Sequence, residues 1–473
     1  MNLPWHDIWL NFFNWPGSHP NMVPWWLDLI RIVIRVLIAL LFILLLVPPL
    51  VWFERRLLGF MQQRQGPNRV GPGGLLQTIA DGVKLLMKED IIPADVDKTL
   101  YVLAPIVMLI PALITLGVIP WNNSDVWGAS APNANIGILY ILAFASLGVY
   151  GVVLAGWSSN NKYALLGGLR SSAQMISYEL GMGLAIISVV LLTGSLGMRD
   201  IVADQTGCWG PNALWGLAKW HIFQFFPMGL VAATIYIISA VAETNRAPFD
   251  LPEAETELIA GYHIEYTSMK FAMFFMGEYA NMIVVSAIAV TLFFGGYLFL
   301  IPWFNQTPAA IASAFHNHGL DWLTFTMNSV VPAIYLIVKI ILFLYFFIWL
   351  RATLPRLRYD MLMEFGWKGI LPISLGNILC IAVSLAFGYP VGLALWVILA
   401  VVSIVIVASL RPTQHFAEKT RRAAKLRTYA TAQPYIVVPE ATASGLSGGA
   451  SRPIEAPAST AALEESASEQ EKV

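Results

Sequence analysis

Long uninterrupted apolar runs alternate along the chain with polar segments rich in Gly, Pro and charge. The runs predict membrane-spanning helices at about 27–52, 100–119, 136–156, 175–194, 222–242, 272–299, 330–350, 370–388 and 391–410. Each is close to the roughly twenty residues needed to cross the hydrocarbon core. Continuous apolarity, with no period-two alternation, points to helices and not to a barrel. The last two runs are parted only by Gly388, Tyr389 and Pro390, a pattern that fits either a tight return turn or one broken helix. The expected fold is an all-α polytopic membrane protein of about nine transmembrane helices.

The polar segments carry the detail. After turns fixed by Gly66-Pro67 and Gly71-Pro72-Gly73-Gly74, Leu75, Leu76, Ile79, Val83, Leu86 and Met87 recur at helical spacing, with Gln77, Asp81, Lys84 and Lys88 on the other face. This predicts an amphipathic helix over 75–88 lying along the inner membrane surface. It either flanks a lateral opening to lipid or simply packs on its neighbours. Residues 242–279 hold Glu243, Asp250, Glu253, Glu255, Glu257, Glu265 and Glu278, offset only by Arg246 and Lys270. Carboxylates set against hydrocarbon-length segments must be hydrated, paired or neutralised; a solvated acidic loop is the plain alternative. Three cations fall inside spans. Arg31 and Arg35 lie one turn apart near the outer end of the first, where snorkelling suffices. For Lys339, midway along the seventh, two readings stand: pairing with a carboxylate across the bundle, or a proton relay.

Composition agrees with the pattern. The chain is 57% hydrophobic and 12% charged, and a soluble domain has roughly twice that charged fraction. The formal net charge of −1 says little, but its distribution is lopsided. The segments 53–99, 157–174, 243–271, 351–369 and 411–429 hold 21 Lys and Arg, against 2 on the other side, Arg199 and Lys219. The positive-inside rule then places the N-terminus outside and the C-terminus in the cytoplasm, which an odd number of spans satisfies. The N-terminal residues lack a basic n-region and a small-residue cleavage site, so no removable signal peptide is expected. Cys208 and Cys380 cannot alone build an iron–sulfur or zinc site, and no metal site is expected; any electrons must come from a partner. The basic stretch HFAEKTRRAAKLR suits an anionic lipid surface, and residues 431–473, rich in Ala, Ser, Pro and Glu, read as disordered. The expected organisation is a membrane domain over 1–410, with loops at 53–99, 157–174, 243–271 and 351–369, and a basic, disordered cytoplasmic tail over 411–473.

Four motifs go further. Glu54-Arg55-Arg56 followed by GFMQQRQGPNRVGPGGLLQTIADGVKLLMKE, then GWSSNNKYALLGGLRSSAQMISYELGMGL (156–184), AETNRAPFDLPEAETELIAGYHIEY (242–266) and RATLPRLRYDMLMEFGWKGILP (351–372) resemble, in order, the inner-side segments of the H-subunit family of NADH–quinone oxidoreductase, respiratory complex I. The resemblance runs from about residue 52 to 379. Arg56 stands where that family usually has Lys, which keeps the charge. The span at 391–410 and the tail are additions, and the family's properties are not carried onto them.

The resemblance implies a multi-pass subunit of the bacterial inner membrane that forms much of a quinone chamber, with quinone as substrate. Iron–sulfur clusters and flavin are expected only in partner subunits. Partners would be peripheral iron–sulfur subunits at the inner face, small and antiporter-like membrane subunits laterally, and membrane lipids, but no nucleic acid. A quinone needs a slot open to the bilayer with a polar inner end. Candidates for that end are Glu54, Arg55, Arg64, Asp81, Glu89, Arg246, Asp250, Glu253, Glu255, Glu257 and Arg351. Candidates for coupling quinone reduction to proton translocation are Glu179, Glu243, Glu265 and Glu278, at or just inside inner helix ends; two of them adjoin tyrosines, Tyr178 and Tyr279. Glu278, about eight residues into its span, would lie roughly 12 Å deep. Such a set titrates as a unit. A related membrane subunit of a proton-linked hydrogenase complex is the nearest alternative. A proton-coupled secondary transporter lacks support, since no internal repeat is evident, and a purely structural anchor would not need so many ionisable groups.

Overall fold

A backbone in hydrocarbon must satisfy its own hydrogen bonds, and each of the nine expected spans overlaps a helix among the described residues. The computed structural model describes residues 25–121, 135–206, 208–209, 217–250, 261–299 and 330–403. The helices are α1 (Trp25–Met61), α2 (Gln77–Met87), α3 (Lys98–Thr115), α4 (Gly137–Ser158), α5 (Lys162–Thr193), α6 (Met198–Asp204), α7 (Met228–Glu243), α8 (Ser268–Phe293), α9 (Val331–Thr353), α10 (Tyr359–Glu364) and α11 (Leu371–Phe387), with α12 (Tyr389–Ser403) after them. Among the described residues, six helices are long and apolar enough to cross a membrane, α10 and α11 counting as one continuous helix, while α7 and α12 are shorter apolar helices. The only strands described are the two-residue pair β1 (Cys208–Trp209) and β2 (Leu217–Ala218), antiparallel to one another.

Several boundaries differ from expectation. Helix α1 continues through Pro48 and Pro49 to Met61, so the first polar loop starts nine residues later than its charges suggested. Residues 162–174, expected in a loop, form the first turns of α5, capped where the Asn161 side chain accepts from the amide of Tyr163 at 3.0 Å. Their polar members Ser171, Ser172 and Gln174 are buried, which is why the apolar run looked shorter than the helix. Helix α10 passes through a π-helical turn, Phe365–Ile370, straight into α11. Gly388, with φ 95°, separates α11 from α12, so the last two runs are two helices. At Gly392 a Cβ would come within 1.7 Å of Ser384 Oγ; only glycine lets α12 return this close along α11, as small residues do between membrane helices.

Helix α8 is the centre of the bundle. Between residues 277 and 293 only Asn281 is less than fully buried, and α8 touches α1, α2, α3, α5, α6, α7 and α9. It ends at Phe293, six residues before the expected end of that span, where Gly295 and Gly296 turn with positive φ, 76° and 53°. A second cluster at its other end packs Tyr101, Tyr262, Tyr266 and Phe274 between α3, α4, α5 and α8, with the Tyr101 and Tyr266 rings stacked at 4.1 Å. The amphipathic helix α2 has no buried residue. Its apolar face is open, with Ile79, Val83, Leu86 and Met87 all exposed, as suits a helix at a lipid surface. Glu253, Glu255 and Glu257, the side chains of Arg31 and Arg35, and the basic and Ala/Ser-rich tail lie outside the described residues.

Candidate functional site

Near the end of α1, Glu54 is 3% exposed, and a carboxylate cannot stay there unpaired. It is paired three times. Arg246 Nη1 donates to its two oxygens at 3.2 and 3.4 Å, Arg351 Nη1 donates to Oε1, and the Tyr279 hydroxyl donates to Oε2 at 2.7 Å. The Arg246 guanidinium also lies over the Tyr279 ring, 4.2 Å from its centroid. One buried acid thus gathers α1, the turn after α7, α8 and α9. Separating such a carboxylate from its guanidinium partners costs about 3–5 kcal/mol.

The turn after α7 is held in place by α5. Gln174 Nε2 donates to the carbonyls of Ala242 at 2.8 Å and Phe249 at 2.9 Å, and Asn245 Nδ2 donates to Ser171 Oγ at 3.0 Å. Asn245 itself takes a left-handed φ of 48°, a conformation that Asn tolerates better than most residues. This clamp presents Arg246 on one side and Asp250 on the other, where Arg356 Nη2 donates to Asp250 Oδ2 at 3.2 Å. The Leu357 amide adds a bond to the Pro248 carbonyl at 3.1 Å. The polar start of α5, unreadable as a span, is what positions the site.

Helix α2 is pinned at both ends. At its start Trp52 Nε1 and Arg56 Nη1 donate to the Gly73 carbonyl at 3.1 and 3.2 Å, and Arg55 Nη1 donates to Asp81 Oδ2 at 2.5 Å. Burial raises the Asp81 pKa, but the hydrogen bonds from Arg55 and Gln77 and the Arg55 charge outweigh it and hold the carboxyl below its usual range. At its far end Ser268 Oγ donates to the carbonyls of Leu85 and Lys88, at 3.0 and 2.9 Å. Arg64 and Glu89, from the same loop, are exposed and stand apart from the Glu54 cluster.

The coupling candidates line the same end of the bundle. Glu278 is buried and accepts from the Tyr262 hydroxyl at 2.8 Å. Glu265 Oε1 accepts from Asn161 Nδ2 at 2.8 Å, and its carbonyl accepts from the Tyr101 hydroxyl at 2.6 Å. Glu179 accepts from Ser146 Oγ across α4 and α5. Glu243, at the end of α7, lies within the field of Glu179, and its Oε2 is buried with no hydrogen-bond partner among the described residues. Tyr279, Tyr262, Ser146 and Arg356 were not among the sequence candidates. Tyr279 had a visible signal, its place beside Glu278.

The opposite end of α8 corrects one expectation. Lys339 contacts no carboxylate among the described residues. Its Nζ donates to the carbonyls of Phe294, Gly296 and Leu298 at 2.6, 2.9 and 2.6 Å, between the rings of Trp220 and Tyr335 at 4.4 and 4.8 Å. An ammonium has three donors, and all are committed to carbonyls, which do not pass protons on. Lys339 caps the broken end of α8. Among the described residues it has no ion-pair partner.

Residues 34–382 match the profile of the family described as NADH dehydrogenase. The second of the H subunits of NADH-quinone oxidoreductase in Koribacter versatilis (strain Ellin345) is 46% identical over 375 residues, covering 76% of this chain and 98% of the relative. The H subunit of NADH-quinone oxidoreductase from Rickettsia bellii (strain RML369-C) is 50% identical over 350 residues, 73% of this chain and 91% of the relative. Its counterpart in Rickettsia rickettsii (strain Iowa) is 49% identical over the same shares.

Proposed function

Because this chain belongs to the NADH dehydrogenase family, as a membrane subunit of NADH–quinone oxidoreductase, we propose that the Glu54 end of its bundle forms much of the chamber in which quinone is reduced. We further propose that Glu179, Glu243, Glu265 and Glu278 couple that reduction to proton translocation. The observation that carries the first part is the cluster of Arg246, Arg351 and Tyr279 around buried Glu54, with α2 pinned beside it and its apolar face open. An apolar surface helix next to a buried polar cluster suits a substrate with a lipid tail and a polar head.

Reduction of quinone to quinol takes two electrons and two protons. Flavin and iron–sulfur clusters in partner subunits would deliver the electrons. Within this chain, Arg246 and Arg351 stabilise negative charge building at a quinone oxygen, and Tyr279 presents a hydroxyl beside them. The carboxylates respond electrostatically: charge appearing at the head group changes which of the coupled acids hold protons. The uneven distribution of Lys and Arg supports a cytoplasmic Glu54 end, an external N-terminus and a cytoplasmic C-terminus in the bacterial inner membrane. Peripheral iron–sulfur subunits would then dock over α2 and the turn after α7, with antiporter-like subunits alongside.

The test substitutes Arg246 by Gln and Asp250 by Asn in the assembled complex. Quinone reductase activity should fall while electron transfer from NADH to a water-soluble artificial acceptor persists. Unchanged quinone reductase activity in both variants would overturn the reading.

A further inference from the structure

The end of α8 away from Glu278 holds buried ionisable groups that the proposed function does not use. His221 is 0% exposed, and each of its ring nitrogens faces an oxygen. Nδ1 lies 2.8 Å from the carbonyl of Leu292, in α8, and Nε2 lies 3.2 Å from Oδ2 of Asp204, the last residue of α6. A carbonyl only accepts, an ionised carboxylate only accepts, and a neutral imidazole carries a single N–H. A neutral ring beside an ionised Asp204 would therefore set two lone pairs against each other, on a ring that is itself sealed from water. Both contacts are satisfied together only when the pair holds one additional proton.

The surroundings say where it resides and how it arrives. Lys219 Nζ lies 3.2 Å from Asp204 Oδ1. The His221 hydrogen bond lowers the Asp204 pKa most; burial opposes it, and Lys219 adds to it, leaving the carboxyl below its usual range. Asp204 is thus the ionised partner. Its side chain is 31% exposed, so it is the route by which solvent on this side exchanges a proton with the sealed ring. Among the described residues, the other charged or titratable groups around the pair are Arg199 and Asp200 on α6, Tyr297 beyond α8, and Lys339, whose ammonium lies over the ring of neighbouring Trp220. Asp200 is engaged by Ser195 and Lys339 by its three carbonyls.

We propose that His221 and Asp204 form a proton-binding latch, in which one proton taken from the solvent on this face ties α6 to the end of α8 and its loss releases them. Lys339 fastens the same end through three backbone carbonyls; the latch adds a fastening that depends on pH. It closes as the solution on this face becomes more acidic and opens as it becomes more alkaline. The helix it grips is the one that carries Glu278 and Tyr279.

Hydrogen–deuterium exchange of the intact complex tests this, at pH values spanning the ordinary histidine range, roughly 5.5 to 8.5, with intrinsic chemical rates divided out. In the unaltered protein, protection of the amides at 201–206 should fall roughly tenfold from the low to the high pH, the weight of one charged hydrogen bond. In Asp204→Asn the side-chain amide can donate to Nε2 of a neutral ring, so the contact closes without the added proton, and protection should stay high at both pH values. In His221→Ala it should be low at both. A flat profile in the unaltered protein, or the same fall in Asp204→Asn, would overturn the latch. Those two proteins decide the matter even where His221→Ala does not assemble.

Discussion

The two ends of α8 solve the same problem, a cation buried at membrane depth, with different materials. At one end Arg246 and Arg351 converge on the carboxylate of Glu54 and the hydroxyl of Tyr279, side chains drawn from segments 192 and 297 residues apart. At the other, Lys339 donates to backbone carbonyls where Gly295 and Gly296 break the helix, between the rings of Trp220 and Tyr335. At Lys339 itself the acceptors are carbonyls, which do not titrate. The Glu54 end is built from groups that gain and lose protons or respond to nearby charge, and Glu243 and Glu278 lie close along the same helix ends. Where the chain needs rigidity it uses backbone, and where chemistry is proposed it uses side chains.

That contrast can be broken by substitution. The largest effect is expected at Glu54. Glu54→Ala leaves two guanidinium groups facing each other without their acid, a loss of about 3–5 kcal/mol, and should deplete the assembled complex in membranes as measured by subunit content. Near-normal assembly would show that the cluster is not what joins α1, α8 and α9. Next comes Lys339→Ala, which orphans carbonyls that water can partly satisfy, at about 1–3 kcal/mol. Because the cage is shaped for an ammonium, added methylammonium should restore part of the lost thermal stability, whereas sodium should not. Equal rescue by both ions would remove the cage from the account.

Smaller still is Asp81→Asn, which loosens α2 from α1 by less than about 1 kcal/mol, as for a partly exposed pair. Since the folded-state pKa of Asp81 is lowered, its contribution is present above the ordinary aspartate range and is lost as pH falls through the lowered value. Proteolysis of the 62–76 loop should therefore rise in acid for the unaltered protein. In Asp81→Asn it should be pH-independent. Smallest of all is Arg64→Ala or Glu89→Ala. Both residues are exposed, so stability should stay within about 0.5 kcal/mol, and a fall in quinone reductase activity alone would mark them as part of the chamber.

Much of the fold was legible because an apolar run in this chain has only one thing to become. The misreadings have a common cause. The first turns of α5 carry Ser171, Ser172 and Gln174, which look like loop residues until Gln174 is seen fastening the backbone of Ala242 and Phe249. For the site, charge pattern and resemblance placed Glu54, Arg246 and Arg351 in one group, but nothing in sequence order tells which acid meets which base across two hundred residues. Arg64 and Glu89 share a loop with Asp81 and look equivalent in sequence; only the folded chain sets them apart. The partners found for Lys339 are carbonyls, which every residue has and no sequence displays. His221 gave no signal for the same reason, one partner being the carbonyl of Leu292.

The central claim is that titrating carboxylates near the Glu54 end couple quinone reduction to proton movement. Glu243 tests it most directly, since Gln preserves its shape and hydrogen-bonding capacity while removing the titration. The complex carrying Glu243→Gln, reconstituted in vesicles beside Glu243→Asp, should keep its full subunit content yet lose most of its quinone-linked activity and proton uptake, whereas Asp retains more of both. Full activity and full pumping in the Gln variant would contradict the claim and leave Glu243 a structural acid.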